Sequence, residues 1–228
     1  MATPIDLPSI ALAVGALGTA SFALVDATKM GRKGGISNSG FGLIKDAVHE
    51  FLPPDFGAGE PDRQLSMLHG HWINGSALAD QKAIAKSLIK LQLTPETAAG
   101  YARATRVDPE VLTQVARSMV TGEPLSTQQA NALGRFDLAL TARLDEAYQR
   151  ADQKYRNSAK LLASVFAVLL ALAGGWTVAN AAGRDFLAPV EIAIAVACGL
   201  LAIPLAPISK DLASALQAGV KVAQSVRK

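Results

Sequence analysis

The sequence predicts an all-α integral membrane protein with three transmembrane helices and a helical cytoplasmic domain. Three uncharged apolar stretches, at residues 7–25, 161–183 and 192–208, are long enough to cross a bilayer as helices. The polar segment between the first two is dominated by Ala, Leu, Gln, Glu, Lys and Arg. It has few alternating runs of β-branched residues, which favours helices over strands.

Residues 1–27 form the first predicted domain, a transmembrane helix with its N-terminus outside. As a helix, the 19 residues from 7 to 25 rise about 28 Å, against roughly 30 Å for the hydrocarbon layer. A cleaved signal peptide begins with a positive region, whereas here Lys29, Arg32 and Lys33 follow the apolar stretch. This order predicts a retained span whose positive end stays in the cytoplasm.

Two predicted segments precede the second span. Residues 28–60 read as a Gly-rich connector with a short helix over Leu43–Leu52, which Pro53 and Pro54 would stop. Residues 61–158 are expected to form a cytoplasmic helical domain that ends in a long stalk helix. Capping patterns predict helices at about 78–92, 95–105 and 109–121, and one that begins near 127.

The stalk helix is the longest predicted element. No Pro occurs from Thr127 to Gly183, so nothing in the sequence ends the helix before the second span. One helix is therefore expected to begin in the soluble domain and continue into the bilayer. Its apolar residues step by three or four, as a packed helix face does: Leu133, Phe136, Leu140, Leu144, Ala147 and Ala151.

The C-terminal part is predicted to hold the second transmembrane helix at 159–183 and the third at 187–208. A basic amphipathic helix at 209–228 would follow, because Pro204 and Pro207 are expected to bend or end the third span.

The distribution of charge predicts both the topology and the absence of a nucleic-acid partner. The chain has a formal net charge of +3, but residues 41–160 hold 14 basic and 14 acidic residues. The positive excess therefore lies on the membrane flanks and tails, whereas a nucleic-acid-binding domain carries a basic face of its own. Basic flanks predict a multi-pass membrane protein with the middle domain and the C-terminus in the cytoplasm.

Candidate chemical sites are few. His69 and His71 have a spacing that can bind a metal in an extended segment, but a structural or exposed role is the favoured interpretation. No catalytic residue and no cofactor is predicted, since the common nucleophile, phosphate-loop and zinc motifs do not occur. Glu191 is an intramembrane acid of possible function, although a position at the start of the third span is favoured. Five glycines are predicted to pack helices closely: Gly15, Gly18, Gly174, Gly175 and Gly199.

Two parts of the chain resemble a group of uncharacterised bacterial inner-membrane proteins. The first part leads into a span and includes Arg135-Phe136-Asp137, Leu144-Asp145, Tyr148 and Tyr155-Arg156. The second part is the ending at residues 204–212. Members have an N-terminal span, a cytoplasmic helical domain and two C-terminal spans. The resemblance covers about the last 95 residues and the general layout. The resemblance implies this architecture and a location in the bacterial inner membrane, and it implies no particular activity.

Three functions remain open at this point. The first is a non-enzymatic membrane scaffold or accessory subunit, which contacts the lipid bilayer and associates with copies of itself or with other membrane subunits. The second is an oligomeric pore or channel gated by the helical domain. The third is a metal-binding or enzymatic membrane protein that uses His69 and His71. The small-residue spans and the neutral middle domain favour the first.

Overall fold

A computed structural model describes residues 7–29, 32–51 and 63–226, with side chains described for 10–29, 34–51 and 65–207. Most of the described residues are helical and none is in a strand, so the all-α class is confirmed. Three helices are long and apolar enough to cross a membrane. The helices are α1 (Leu7–Lys29), a 3-10 helix (Arg32–Ser37), α2 (Asn38–His49), α3 (Arg63–Ile73), α4 (Leu78–Leu91), α5 (Ala98–Thr105), α6 (Pro109–Thr121), α7 (Thr127–Ala181) and α8 (Pro189–Val226).

The chain forms two compact units. The membrane unit comprises Met1–Ile36 and Arg156–Lys228, and the helical domain comprises Ser37–Tyr155. The 55-residue α7 contributes to both, which confirms the predicted single helix from about 127 through the second span.

The core of the helical domain is built on one face of α7. Phe136, Leu140, Leu144 and Tyr148 recur every four residues, and each is at most 1% exposed. The ring of Tyr101 on α5 meets Phe136 edge-on, with 5.9 Å between the ring centroids. The predicted apolar stripe of α7 is therefore the face that holds this domain together.

The best-predicted boundaries are those of α6, because its ends are encoded locally. The Asp108 side chain accepts hydrogen bonds from the amides of Glu110 and Val111, and Pro109 occupies the first turn. Gly122, with φ at 75°, ends the helix in the left-handed conformation.

A row of ion pairs joins α4 to α7. Lys82, Lys86 and Lys90 recur every four residues and so share one face of α4. Lys82 Nζ lies 2.5 Å from a carboxylate oxygen of Asp145. Lys86 and Lys90 each approach one oxygen of Asp137, both at 2.6 Å. The three lysines thus form ion pairs with two carboxylates of α7, those of Asp137 and Asp145.

Asp137→Asn tests this row through pH. Burial raises the pKa of Asp137, but hydrogen bonds and charge from Lys86 and Lys90 outweigh burial and hold it below its ordinary value. A lowered carboxyl pKa stabilises the fold above the unfolded-state value of about 3.9, and the contribution is lost as pH falls through the lower folded-state value. Asp137→Asn should therefore cost under about 1 kcal/mol near neutral pH and flatten the acid limb of the stability profile.

Thermal unfolding of the detergent-solubilised chain between about pH 2 and pH 7 measures this effect. Glu123→Gln is the control, because Glu123 is exposed and its side chain makes no ion pair within the described residues. An acid limb that is equally steep in Asp137→Asn and in the unmodified chain would contradict the prediction.

In the membrane unit, α8 contacts both other long helices. An added Cβ at Gly18 of α1 would clash with the backbone carbonyl of Ala202 on α8. An added Cβ at Gly199 of α8 would lie 2.6 Å from the Cα of Val168 on α7. Only glycine permits such close approach at these two positions.

Several boundaries differ from the sequence-based prediction. Helix α2 begins at Asn38, five residues before the predicted start, and its buried Ile44 and Val48 join the core of the helical domain. That domain begins at Ser37, so part of the expected 28–60 connector belongs to it. Helix α5 begins at Ala98, because the predicted start near 95 is a turn in which the Ala98 amide bonds the Thr94 carbonyl. The expected loop at 53–61 lies outside the described residues.

The third span and the C-terminal helix are one element. Helix α8 runs through Pro204 and Pro207 to Val226, so the predicted separate helix at 209–228 is wrong. Each Pro removes one backbone hydrogen bond, but ending the helix in an apolar segment would leave more backbone groups without partners. The predicted amphipathic face of 209–228 concerns side chains outside the described part.

Candidate functional site

A wide cleft in the described part of the helical domain lies beside the start of α7. It has a volume of about 880 Å³. We call it the cationic cleft and define it by residues on two walls. One wall comes from the α5–α6 connection and α6: Arg106, Val107, Asp108 and Val111. The other is the beginning of α7: Thr127, Gln128, Ala130, Asn131, Ala132, Gly134, Arg135 and Leu138.

The first wall is positioned by the end of α5. Arg106 caps α5 with φ at 56°, the one positive φ among the described non-glycine residues. This turn lets Val107 enter the core, where it is 8% exposed, while Arg106 stays at the surface. Asp108 follows, and its Oδ1 accepts from the amides of Glu110 and Val111 at 2.9 and 3.0 Å.

The second wall is fixed by a capping box. The Ser126 amide donates to Gln129 Oε1 at 2.7 Å, and the Gln129 amide donates to Ser126 Oγ at 3.2 Å. The predicted start of α7 is thereby confirmed. From this start, one helix face turns Gln128, Asn131, Arg135 and Leu138 into the cleft.

The cleft is cationic because its arginines have no carboxylate partner. In the described part of the chain, neither Arg106 nor Arg135 forms an ion pair, whereas Asp137, the acid nearest to Arg135 in sequence, is held by two lysines. Asp108 is the acid of the cleft, and one of its oxygens is engaged in capping α6. Two guanidinium groups thus face solvent with free donors.

Comparison with protein-family models, curated proteins and solved structures finds no match to this chain.

The two candidate metal ligands do not converge. His69 and His71 lie in α3, whereas their spacing would suit a metal only in an extended segment. Residues two apart on a helix point to different faces. His69 Nε2 is 2.6 Å from Asn38 Oδ1, while His71 Nδ1 is 3.2 Å from Ser76 Oγ. Among the residues that the structure describes, no three His, Cys, Asp or Glu side chains are grouped to hold a metal ion.

Glu191 lies at the beginning of α8 rather than within the apolar segment. It occupies the first turn, and its Oε1 accepts from Arg184 Nη1 at 2.7 Å. The favoured interpretation of Glu191 as an acid at the start of the span fits this position. Thr177, a polar residue in the apolar part of α7, donates a hydrogen bond to the Gly174 carbonyl of its own helix.

The five predicted packing glycines have different surroundings. Gly15 is buried, and Gly18 and Gly199 permit the helix approaches described above. An added Cβ at Gly175 would meet the Phe186 ring at 2.9 Å. At Gly174 it would meet nothing within 4 Å among the described residues.

Gly134→Ala should stabilise the helical domain by about 0.5–1 kcal/mol, because Gly is a poor residue inside a helix. Gly134 lies within α7, and an added Cβ would meet nothing within 4 Å of the described residues. The same substitution at Gly122 is the matched control. Its φ of 75° should make Gly122→Ala destabilising by about 1 kcal/mol. Thermal unfolding of both variants should shift in opposite directions, and a shared sign would refute the prediction.

Proposed function

We propose that the chain is a non-enzymatic scaffold or accessory subunit of a membrane complex. The observation that carries the proposal is the cationic cleft, which is open and lined by two unpaired arginines and by Leu138, 71% exposed. A surface that combines free guanidinium groups with an exposed large apolar side chain is typical of a docking site for another protein. Close packing of α8 against α1 and α7 supports an anchor that holds this surface at the membrane.

We further propose that the membrane is the bacterial inner membrane, with the N-terminus outside and the helical domain and C-terminus in the cytoplasm. Support comes from the basic residues Lys29, Arg156 and Lys160 beside the spans, because positive flanks stay in the cytoplasm. The connection between α7 and α8 has one basic residue, Arg184, and this low positive charge supports a position outside.

Cysteine labelling tests the orientation. Cys198 is the single cysteine, so Cys198→Ser gives a background without thiols. In that background, Gln114→Cys in α6 and Ala182→Cys after α7 place exposed thiols in the helical domain and in the connection. An impermeant maleimide should label Ala182→Cys in intact cells and Gln114→Cys only after lysis. Labelling of Gln114→Cys in intact cells would overturn the orientation.

The scaffold function is tested by the mass of the protein extracted in its native lipid. The expected result is an assembly heavier than the 23.7 kDa chain, containing further copies or other membrane subunits. A monomer with no co-purifying protein would overturn the proposal.

A further inference from the structure

We propose that the cationic cleft binds an acidic peptide segment of a partner protein, through carboxylates at Arg106 and Arg135 and an apolar side chain at Leu138. This inference rests on the proposed function and names the chemistry of the partner. It follows from the charge, the shape and the apolar lining of the cleft.

Charge selects an anionic occupant. The guanidinium groups of Arg106 and Arg135 lie on opposite walls, and within the described residues neither has an acidic partner. Guanidinium groups bind carboxylates through two parallel hydrogen bonds, which makes arginine well suited to this recognition. Asp108 on the first wall repels a nearby carboxylate, so the acids of the occupant should lie at the arginines.

Shape selects an extended segment over a compact small molecule. The cleft is open to solvent, whereas sites for small molecules commonly enclose 70–90% of the ligand surface. Amides that can donate and accept extend from Gln128 and Asn131 along the same face of α7. Such groups can pair with the backbone of a peptide.

The apolar lining selects a protein over a simple anion. Leu138 is 71% exposed, and Val111 faces it from the other wall of the cleft. An inorganic anion would leave this apolar surface in water. A peptide with an apolar side chain between its acids would cover it, at about 25 cal/mol for each Å² removed from water.

The probes are two synthetic peptides. One alternates glutamate and leucine. The other alternates aspartate and valine. Neutral versions, with glutamine and asparagine for the acids, are the peptide controls. Binding to the full chain in mild detergent is measured by fluorescence anisotropy at low and high salt.

The variant Arg106→Asn/Arg135→Gln removes both charges, and Asn tolerates the positive φ at 106. The matched control is Arg117→Gln, which removes an exposed arginine of α6 that does not line the cleft. We expect the double variant to bind an acidic peptide at least about tenfold more weakly and Arg117→Gln to bind it unchanged. Salt should weaken binding to the unmodified chain. The neutral peptides should bind weakly.

Three results would overturn the inference. They are no binding of either acidic peptide at millimolar concentration, equal binding to the double variant, and charge-dependent binding of inorganic phosphate or anionic vesicles without binding of peptide. The native-lipid mass separates this failure from failure of the scaffold function. An assembly that persists in the double variant while no peptide binds leaves the scaffold standing. Peptide binding by a chain that is always a monomer without partners refutes the scaffold alone.

Discussion

Phe136→Ala is expected to lower the free energy of unfolding of the helical domain by about 3–5 kcal/mol. Phe136 has no exposed surface, and its ring contacts the ring of Tyr101, so its loss leaves a cavity beneath α7. The remaining buried side chains of α7 are held by the same helix and cannot easily collapse into that space. This loss is a large part of the stability of an ordinary domain.

Leu138→Ala is the matched control, two residues further along the same helix. Because Leu138 is 71% exposed, we expect a change within about 0.5 kcal/mol. Guanidinium unfolding in mild detergent measures both variants in a Trp176→Phe background. This background leaves Trp72, which is 8% exposed, as the fluorescent reporter of the helical domain. Similar losses in the two variants would contradict the assigned core face of α7.

Gly199→Leu is expected to disrupt the packing of the membrane unit. Its new side chain would begin 2.6 Å from the Cα of Val168, which belongs to the backbone of α7 and cannot rotate away. Overpacking of this kind costs about 1–3 kcal/mol, and more where the backbone must move. The measurement is the temperature at which half of the detergent-solubilised protein loses its monodisperse peak.

Gly174→Leu is the control for Gly199→Leu. It makes the same change in the same unit, but at a position where an added Cβ meets nothing within 4 Å of the described residues. We expect its melting temperature to stay close to that of the unmodified chain. Equal destabilisation by both substitutions would show that side-chain bulk, rather than the contact of Gly199 with α7, is responsible.

Elements whose signals are local were predictable from the sequence. The ends of α6 follow from Asp108, Pro109 and Gly122, which act on neighbouring residues. The start of α7 follows from the capping box at Ser126. The three apolar helices follow from length and composition, which need no tertiary information.

Elements that depend on surroundings were not predictable in the same way. Helix α3 carries weak local signals, yet it is helical and buries Leu68 and Trp72 in the core. Conversely, Pro204 is a strong local signal for a helix end, and α8 passes through it. Tertiary packing supplies the free energy in the first case. In α8, the need to pair backbone groups in an apolar segment outweighs the hydrogen bond lost at Pro204.

The cationic cleft could not be found from the sequence. Gln128, Asn131 and Arg135 look like a solvated helix face, and Arg106 is one of many surface arginines. Their convergence depends on the left-handed turn at Arg106. This conformation cannot be predicted from the residue type, because arginine rarely adopts a positive φ. Arg135 lacks a carboxylate partner within the described residues because the positions three and four residues away on α7 are not acidic: Asn131, Ala132, Leu138 and Ala139.

The contacts of α8 imply an order of events during biosynthesis. Helix α8 leaves the ribosome after the other described helices, yet Gly18 of α1 and Val168 of α7 both pack against it. Domains fold largely as they are synthesised, so the helical domain is complete before α8 exists. Helix α1 therefore lacks its partner α8 while more than half of the chain is translated. A nascent chain halted before α8 should therefore have a folded helical domain and loose spans, and would be a natural substrate for membrane quality control.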